Sequence, residues 1–391
     1  MGPLSGRRIW FVGIGGSGLS AYATIAAAWG AEVGGWDRVE TSYLEPLRGH
    51  ELVIAPEPVV RDGWEVVVSS AYRGVAGKPR AEFLAELVSL RDSIVVAGAH
   101  GKTTTTGMVA YVLSRLGRDP AFAIGGDIPQ LGGNAGAGDG WFVVEGDESD
   151  RTIAALRPRV AVVLNVELDH HAEFASLAEL EGLFDEWVSH VPHVVRAEEL
   201  EPVEFQLALP GAHNRVNAAA ALAALEHCDV DPRDAQPHIA EYKGATRRFE
   251  LRGETGGIRV YDDYAHHPTE IAATVASARE LGVRRVLVLF QPHLYSRTRH
   301  LAHEFGRALA GADAVAVTDV YAARERKGDV VGKLVVDAVS DARPGMRVGW
   351  MPSPEQGARW LAGLARPGDV VLTVGAGNVD AAVPLLLEAI G

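Results

Sequence analysis

Residues 93–107 have the sequence SIVVAGAHGKTTTTG, and this stretch sets the fold class expected for the whole chain. The apolar, β-branched run 93–97 predicts a buried strand, and the segment from Thr104 onward predicts a helix. Between them lies a glycine loop that ends in Gly101-Lys102-Thr103. It is a shortened phosphate-binding loop, because Gly98 stands only three residues before Gly101. A strand, a phosphate loop and a helix in this order are typical of an α/β protein with a parallel sheet.

The same loop predicts a site for nucleotide phosphates. Its backbone N–H groups can cradle phosphate oxygens, Lys102 can reach the outer phosphates, and the hydroxyl of Thr103 can ligate Mg²⁺. A simple turn between a strand and a helix needs neither the lysine nor the four consecutive threonines that follow it. We therefore expect this loop to bind phosphate.

A second glycine loop follows the first predicted strand, at residues 9–12. Residues 13–18 have the pattern G-x-G-x-x-G and lead into an Ala-rich helix predicted over residues 19–29. Such a loop lets a pyrophosphate approach a helix N-terminus, and Asp37 stands where a ribose-binding acid is expected. The pattern fits a nicotinamide dinucleotide as well as a UDP-sugar, so a dehydrogenase and a sugar-nucleotide enzyme both stay open at this point.

Composition and charge restrict the class of protein. The chain has 391 residues, of which 47% are hydrophobic and 23% charged, so two or three globular domains are expected. The formal net charge of −14 argues against nucleic acid or an anionic membrane as the main partner. The single cysteine, Cys228, excludes an intrachain disulfide. With no signal-peptide pattern and no apolar run near the roughly 18 residues of a membrane span, we expect a cytoplasmic monomer or weak homodimer.

Apolar strand-like runs alternate with Ala- and Leu-rich helical stretches along the whole chain. The runs that predict further strands are residues 65–69, 142–145, 160–165, 285–290, 314–318 and 369–374. Breaks in this rhythm predict three domains, at residues 1–90, 91–245 and 246–391. We expect an α/β protein with a Rossmann-like N-terminal domain, a central P-loop ATPase-like domain and a Rossmann-like C-terminal domain.

Acidic and imidazole side chains follow two of the predicted strands. Residues 145–150 read Glu-Gly-Asp-Glu-Ser-Asp, and residues 165–171 contain Asn165, Glu167, Asp169 and two histidines. The carboxyl ends of parallel strands meet at one edge of a sheet, so these groups are expected to face the phosphate loop. Oxygen and imidazole donors in this setting suit Mg²⁺ shared with phosphates better than a structural zinc.

Taken in chain order, these segments resemble the Mur ligase family and, within it, the alanine-adding branch. The motifs that carry the resemblance are the loop 13–18, residues 101–105, 145–150 and 165–170, His213-Asn214-x-x-Asn217, Arg247-Arg248-Phe249-Glu250, residues 262–270 and residues 290–299. The chain has no lysine between Lys102 and Lys243, so its central part lacks the carbamylated lysine of several later-acting members. This agrees with the alanine-adding branch.

The resemblance implies ATP-dependent ligation of L-alanine to the lactyl carboxylate of UDP-N-acetylmuramate through an acyl phosphate, in peptidoglycan precursor synthesis. It implies ATP and Mg²⁺ as cofactors. The implied catalytic residues are Lys102, Glu145, His170, His266 and Arg297, and the implied metal ligands are Thr103, Glu145 and His170. The implied ATP-binding residues are Gly98, Ala99, His100, Gly101, Lys102, Thr103, Thr104, His213, Asn214, Asn217, Arg248 and Asp262. The implied substrate-binding residues are Gly15, Gly16, Ser17, Gly18, Ser69, Ser70, Tyr264, His266 and Arg297.

Two alternatives to this function stay open from the sequence. One is a related carboxylate-amine ligase of the same fold, such as a murein peptide recycling ligase or a ligase acting on another nucleotide sugar. The other is a nonenzymatic nucleotide-sugar sensor, suggested by the compact segments at residues 75–80 and 171–211. Retention of Lys102, Glu145, His170 and Arg297 favours an enzyme.

Overall fold

The computed structural model describes residues 2–72, 74–168, 174–323, 325–326 and 328–391. The predicted metal ligand His170 lies outside the described residues. The chain forms two compact units, one of Met1–Ala208 with Asn214–Ala245 and the other of Leu209–His213 with Thr246–Gly391. In the described part of the chain, no helix combines the length and the apolar character needed to cross a membrane.

The first unit begins with a five-stranded parallel sheet of order β3-β2-β1-β4-β5. Its elements are β1 (Arg8–Val12), α1 (Ser17–Ala28), β2 (Glu32–Asp37), β3 (Glu51–Ile54), β4 (Glu65–Val68), β5 (Lys78–Pro79) and α2 (Arg80–Ser89). Strand order reverses on the two sides of β1, and α/β sheets bind ligands in the crevice at such a switch point. The second glycine loop follows β1 and therefore lies at that crevice.

A six-stranded sheet of order β11-β10-β6-β9-β7-β8 completes the first unit. All its strands are parallel except the edge strand β8, which runs antiparallel to β7. Its elements are β6 (Ser93–Ala97), α3 (Lys102–Arg115), β7 (Ala121–Ile128), β8 (Gly133–Ala137), β9 (Phe142–Glu145), β10 (Val160–Val163), α4 (Leu177–Val188), β11 (His193–Arg196), α5 (Ala212–Glu226) and α6 (Pro232–Glu241). Strand β6 lies between β9 and β10 and is wholly buried, so the phosphate loop starts from an enclosed strand of this sheet.

The second unit contains a six-stranded sheet of order β12-β13-β17-β14-β15-β16, parallel except for the edge pair β12–β13. Its elements are β12 (Glu250–Thr255), β13 (Ile258–Asp263), α7 (Pro268–Glu280), β14 (Val286–Phe290), α8 (Tyr295–His300), α9 (Ala302–Leu309), β15 (Ala314–Val317), α10 (Lys333–Ala342), β16 (Arg347–Trp350), α11 (Pro354–Leu364), β17 (Val370–Val374) and α12 (Val383–Ile390). Every residue of β14, β15 and β17 is buried, which agrees with the continuous apolar runs of these strands.

The α/β prediction is confirmed, and each predicted domain range contains one of the three sheets. Several boundaries differ from expectation. Helix α3 begins at Lys102 rather than at Thr104, and α1 begins at Ser17 rather than at residue 19. In both cases the last residues of the glycine loop form the first turn of the helix, so the loop supplies N–H groups from the helix itself. Helix α5 begins at Ala212, which places His213, Asn214 and Asn217 inside the helix.

Candidate functional site

The loop between β1 and α1 is held in a tight turn by the end of β2. Gly13 adopts φ of +91°, and the N–H of Gly15 donates to Asp37 Oδ2 at 2.7 Å. A Cβ at Gly15 would lie 2.9 Å from that oxygen, so the position requires glycine. Gly16 precedes α1 without a side-chain cap, which leaves the first N–H groups of the helix available to an anion.

Two predicted substrate-binding residues adjoin this loop. The Cβ of Ser69 lies 2.8 Å from the position that a Cβ on Gly13 would occupy, and Ser70 begins the turn that follows. The first residue of α1, Ser17, is fixed from the neighbouring sheet, because Asn134 donates from its side-chain amide to the Ser17 carbonyl at 2.8 Å. The glycine loop therefore lies where the two sheets of the first unit meet.

The phosphate loop is shaped by two glycines and fastened by one asparagine. Gly98 and Gly101 adopt φ of +138° and +88°, both in the region that favours glycine. Asn165 Oδ1 accepts from the His100 N–H at 2.8 Å, and its amide donates to the His100 carbonyl at 2.9 Å. The Asn165 carbonyl accepts from the Ala99 N–H at 3.1 Å. The residues that follow β10 thus fix the loop that follows β6.

The predicted adenine-site residues of the first unit lie against the phosphate loop. A Cβ at Gly101 would lie 2.5 Å from Asn217 Oδ1, so the asparagine packs directly on the loop. The Asn217 amide donates to Asn214 Oδ1 at 3.2 Å, and both side chains are buried. His213 belongs to the second unit.

Lys102 is enclosed by its own loop and by one acidic side chain. Its ammonium donates to the carbonyls of Gly98 and Ala99 and lies 3.1 and 3.0 Å from the two carboxylate oxygens of Glu148. Burial alone would lower the pKa of Lys102, but Glu148 and Asp147 raise it above its ordinary value, so the side chain stays an ammonium. Burial raises the pKa of Glu148, and the neighbouring charge of Asp147 adds to that rise.

The other acids of the same loop are bound by an arginine that the sequence did not single out. Arg80 Nη2 donates to Asp147 Oδ2 at 2.6 Å and to Asp150 Oδ2 at 2.7 Å, and Arg80 Nε donates to Asp150 Oδ2 at 2.9 Å. Burial would raise the pKa of Asp147, yet Arg80 and other donors hold it at about 2. Arg80 Nη1 lies 3.5 Å from the Cβ position of Gly18, beside the first turn of α1. Arg80 is the first residue of α2 and is far in sequence from the acidic loop 145–150 and the glycine loop 13–18. No local sequence motif marks it as their partner.

Two predicted metal ligands lie against the same short segment of β7. Glu145 Oε1 accepts from the Gly125 N–H at 2.7 Å. The methyl carbon of Thr103 lies 3.6 Å from the Cβ position of Gly126. Glu145 and Thr103 thus lie at adjacent residues of β7, and a carboxylate and a hydroxyl are hard oxygen donors of the type that Mg²⁺ takes in phosphate-binding sites. The donors that are described therefore fit magnesium.

The second unit gathers the predicted amino-acid-site side chains Tyr264 and His266. Their ring centroids are 5.4 Å apart, and the ring of His293 lies 5.7 Å from that of His266. The guanidinium of Arg248 lies 5.4 Å from the Tyr264 ring centroid. Arg297 is buried on α8. The cluster offers cationic and aromatic groups at the carboxyl end of β13.

Asp262, predicted to contact ATP, is fully buried inside the second unit. It accepts from Arg247 Nε at 2.8 Å and from the Thr373 hydroxyl. Arg247 also donates to the carbonyls of Gly375 and Gly377 at 2.8 and 3.0 Å. In this structure Asp262 therefore orients an arginine that fastens the last glycine loop. The adjacent Asp263 has its pKa raised by burial to about 6.

Comparison with known proteins gives matches over the whole chain. A family model described as "Mur ligase, glutamate ligase domain" matches residues 247–377. The UDP-N-acetylmuramate–L-alanine ligase of Streptomyces coelicolor is 39% identical, and the alignment covers 99% of this chain and 98% of that protein. The crystal structure of the UDP-N-acetylmuramate–alanine ligase from Thermotoga maritima superposes with a TM-score of 0.79 at 26% identity, covering 97% of this chain and 98% of that chain. A murein peptide ligase from Psychrobacter arcticus, with TM-score 0.63, 21% identity and 99% coverage of both chains, shares the fold.

Proposed function

The chain belongs to the Mur ligase family, and from this premise we propose that it joins L-alanine to the lactyl carboxylate of UDP-N-acetylmuramate with cleavage of ATP to ADP and phosphate. The observation that carries the proposal is the intact phosphate loop, in which Lys102, the first residue of α3, is only 19% exposed and lies beside the acidic loop 145–150. The similarity to alanine-adding relatives along the whole chain supports UDP-N-acetylmuramate as the acceptor and L-alanine as the amino acid.

The residues of the first unit account for the phosphorylation step. The lactyl carboxylate attacks the γ-phosphorus of ATP. The bond from that phosphorus to ADP breaks, ADP leaves, and an acyl phosphate is formed. Lys102 remains protonated and neutralises charge on the moving phosphoryl group. The N–H groups at the start of α3 hold the phosphate oxygens that do not react.

Thr103, Glu145 and His170 are proposed to hold Mg²⁺. The ion supplies positive charge to the phosphate oxygens when it is bound. Gly98, Ala99, His100, Gly101 and Thr104 are proposed to hold the ATP phosphates, with Asn214, Asn217, His213, Arg248 and Asp262 completing the ATP-binding set. The close approach of Asn217 to Gly101 supports the proposal that Asn217 belongs to the ATP-binding set.

The amide-forming step needs an L-alanine held by its carboxylate while its amine attacks the acyl phosphate. Tyr264, His266 and Arg297 are proposed to bind it, with the planar guanidinium of Arg297 as the partner of the alanine carboxylate. The attack forms a tetrahedral intermediate that collapses to the amide and releases phosphate. Gly15, Gly16, Ser17, Gly18, Ser69 and Ser70 are proposed to bind the UDP-sugar.

Phosphate release tests this proposal directly. With ATP, Mg²⁺ and UDP-N-acetylmuramate, release is expected only when L-alanine is also present. Lys102→Ala is expected to abolish release, whereas the matched variant Lys333→Ala, at an exposed position on α10, is expected to retain it. Release that ignores L-alanine, or that survives the loss of Lys102, would reject the proposed reaction. Dependence on a murein peptide instead of L-alanine would point to the peptide-recycling reaction.

A further inference from the structure

We propose that Glu148 is an internal counter-ion that Lys102 exchanges for the outer phosphates of ATP, so that this carboxylate sets how tightly the loop binds nucleotide. This inference rests on the proposed function, since it requires ATP at the phosphate loop. Glu148 is thereby a positioning residue that acts through Lys102.

The hydrogen bonds around Lys102 show why an exchange is needed. An ammonium has three N–H donors, and four acceptors already surround it: the carbonyls of Gly98 and Ala99 and both carboxylate oxygens of Glu148. An arriving phosphate oxygen must take the place of at least one of them. The two oxygens of Glu148 are the charged acceptors among these four, so this carboxylate is the strongest competitor of a phosphate.

The acids of the loop divide the neighbouring cations between them. Asp147 and Asp150 are bound by Arg80, whereas Glu148 is bound by Lys102. The Glu148 side chain is only 4% exposed. Water therefore replaces little of the ion pair that Glu148 loses when Lys102 binds a phosphate oxygen instead. Among the described residues, Lys102 is the sole cation that is hydrogen-bonded to Glu148. Nucleotide binding therefore leaves a buried carboxylate without its partner and close to further negative charge.

Removing the charge while keeping the shape is expected to strengthen nucleotide binding. Glu148→Gln leaves one oxygen acceptor for Lys102 but removes the negative charge that competes with a phosphate for the Lys102 ammonium. The dissociation constant for ADP is expected to fall about tenfold, which corresponds to about 1.4 kcal/mol. A carboxylate that merely supports the loop would give the opposite result, because a damaged loop binds less tightly.

Isothermal titration of ADP with Mg²⁺, on the full chain, measures this effect. The matched control is Asp150→Asn, which removes the same charge from the same loop but at a side chain bound to Arg80. Circular dichroism establishes that each variant is folded. We expect Glu148→Gln to bind ADP more tightly than the unaltered chain does. We expect Asp150→Asn to bind ADP with unchanged affinity.

The outcomes separate the inference from the function on which it rests. Equal or weaker ADP binding by folded Glu148→Gln, or equal tightening by Asp150→Asn, overturns the inference alone. Absence of ADP binding by the unaltered chain overturns the proposed function and the inference with it. If Glu148→Gln does not fold, Glu148→Asp decides the matter, since withdrawing the carboxylate from Lys102 by one methylene is expected to tighten ADP binding about threefold. Unchanged or weaker binding by that variant overturns the inference.

Discussion

Replacing Arg80 by methionine is expected to destabilise the first unit by about 3 kcal/mol, because removing one partner of a buried ion pair costs about 3–5 kcal/mol. The arginine side chain is 19% exposed, and its partners Asp150 and Asp147 are 15% and 37% exposed. Asp150 therefore behaves nearly as a buried charge, whereas water can partly solvate Asp147 once Arg80 is removed. The expected loss of stability thus lies at the lower end of the range of about 3–5 kcal/mol. Methionine retains most of the aliphatic volume, so the loss is mainly electrostatic.

Urea unfolding at pH 7, followed by circular dichroism, measures this loss. Arg80→Lys keeps the charge but not the planar fork that reaches both acids, so it is expected to lose an intermediate amount, about 1–2 kcal/mol. The matched surface control is Arg233→Met, whose partner Asp231 is 38% exposed and whose own side chain is 89% exposed. That change is expected to leave the free energy of unfolding nearly unchanged, because an exposed ion pair contributes little to stability.

The effect of Arg80→Met depends on pH with a definite sign. The pKa of Asp147 is held at about 2, below its ordinary 3.8, so this acid stabilises the fold above pH 3.8 and stops doing so as pH falls toward 2. In the variant Asp147 has lost its Arg80 partner, so this stabilisation above pH 3.8 is largely absent. The difference between the two proteins is thus largest at neutral pH and narrows from about pH 4 downward. A difference below 0.5 kcal/mol at pH 7, or one that grows on acidification, refutes the assignment of Arg80 as the anchor of the acidic loop.

Two further changes test the loop geometry and the lone thiol. Gly101→Ala is expected to cost about 2–3 kcal/mol in urea unfolding and to weaken ADP binding at least tenfold, because the residue has φ of +88° and its Cβ would lie 2.5 Å from Asn217 Oδ1. Gly117→Ala has φ of +68° but meets no atom within 4 Å, so it is expected to cost only about 1 kcal/mol; equal losses in the two variants contradict this reasoning. Cys228 is buried and burial raises its pKa to about 12, so the folded protein is expected to resist Ellman's reagent at pH 8 and to react fully in urea. Rapid reaction of the folded chain contradicts that placement.

The sequence predicted the parts of the fold that depend on local patterns. Continuous apolar runs and glycine loops gave β6, β9, β14 and β17 and the two loops, because buried parallel strands need no other signal. Edge strand β8, with the sequence GNAGA, was missed, because its pairing with β7 comes from the tertiary fold and leaves no apolar alternation. The strand, glycine loop and helix around Lys102 were predicted for the same reason, since their pattern lies within one short segment, whereas phosphate binding by this loop stays a prediction.

The roles inside the acidic loop could not be obtained in this way, since they depend on which cation the fold brings to each carboxylate. The residue pattern alone places Glu145, Asp147, Glu148 and Asp150 together at one strand end, and only the family resemblance selects Glu145 among them as a metal ligand. The structure makes them different, because α2 delivers Arg80 to the two aspartates and α3 delivers Lys102 to Glu148. Glu145, the last residue of β9, accepts a hydrogen bond from the Gly125 N–H of β7. An acidic loop that distributes its carboxylates in this way pairs Glu148 with the lysine and the two aspartates with Arg80, and so leaves Glu145 for the proposed metal site.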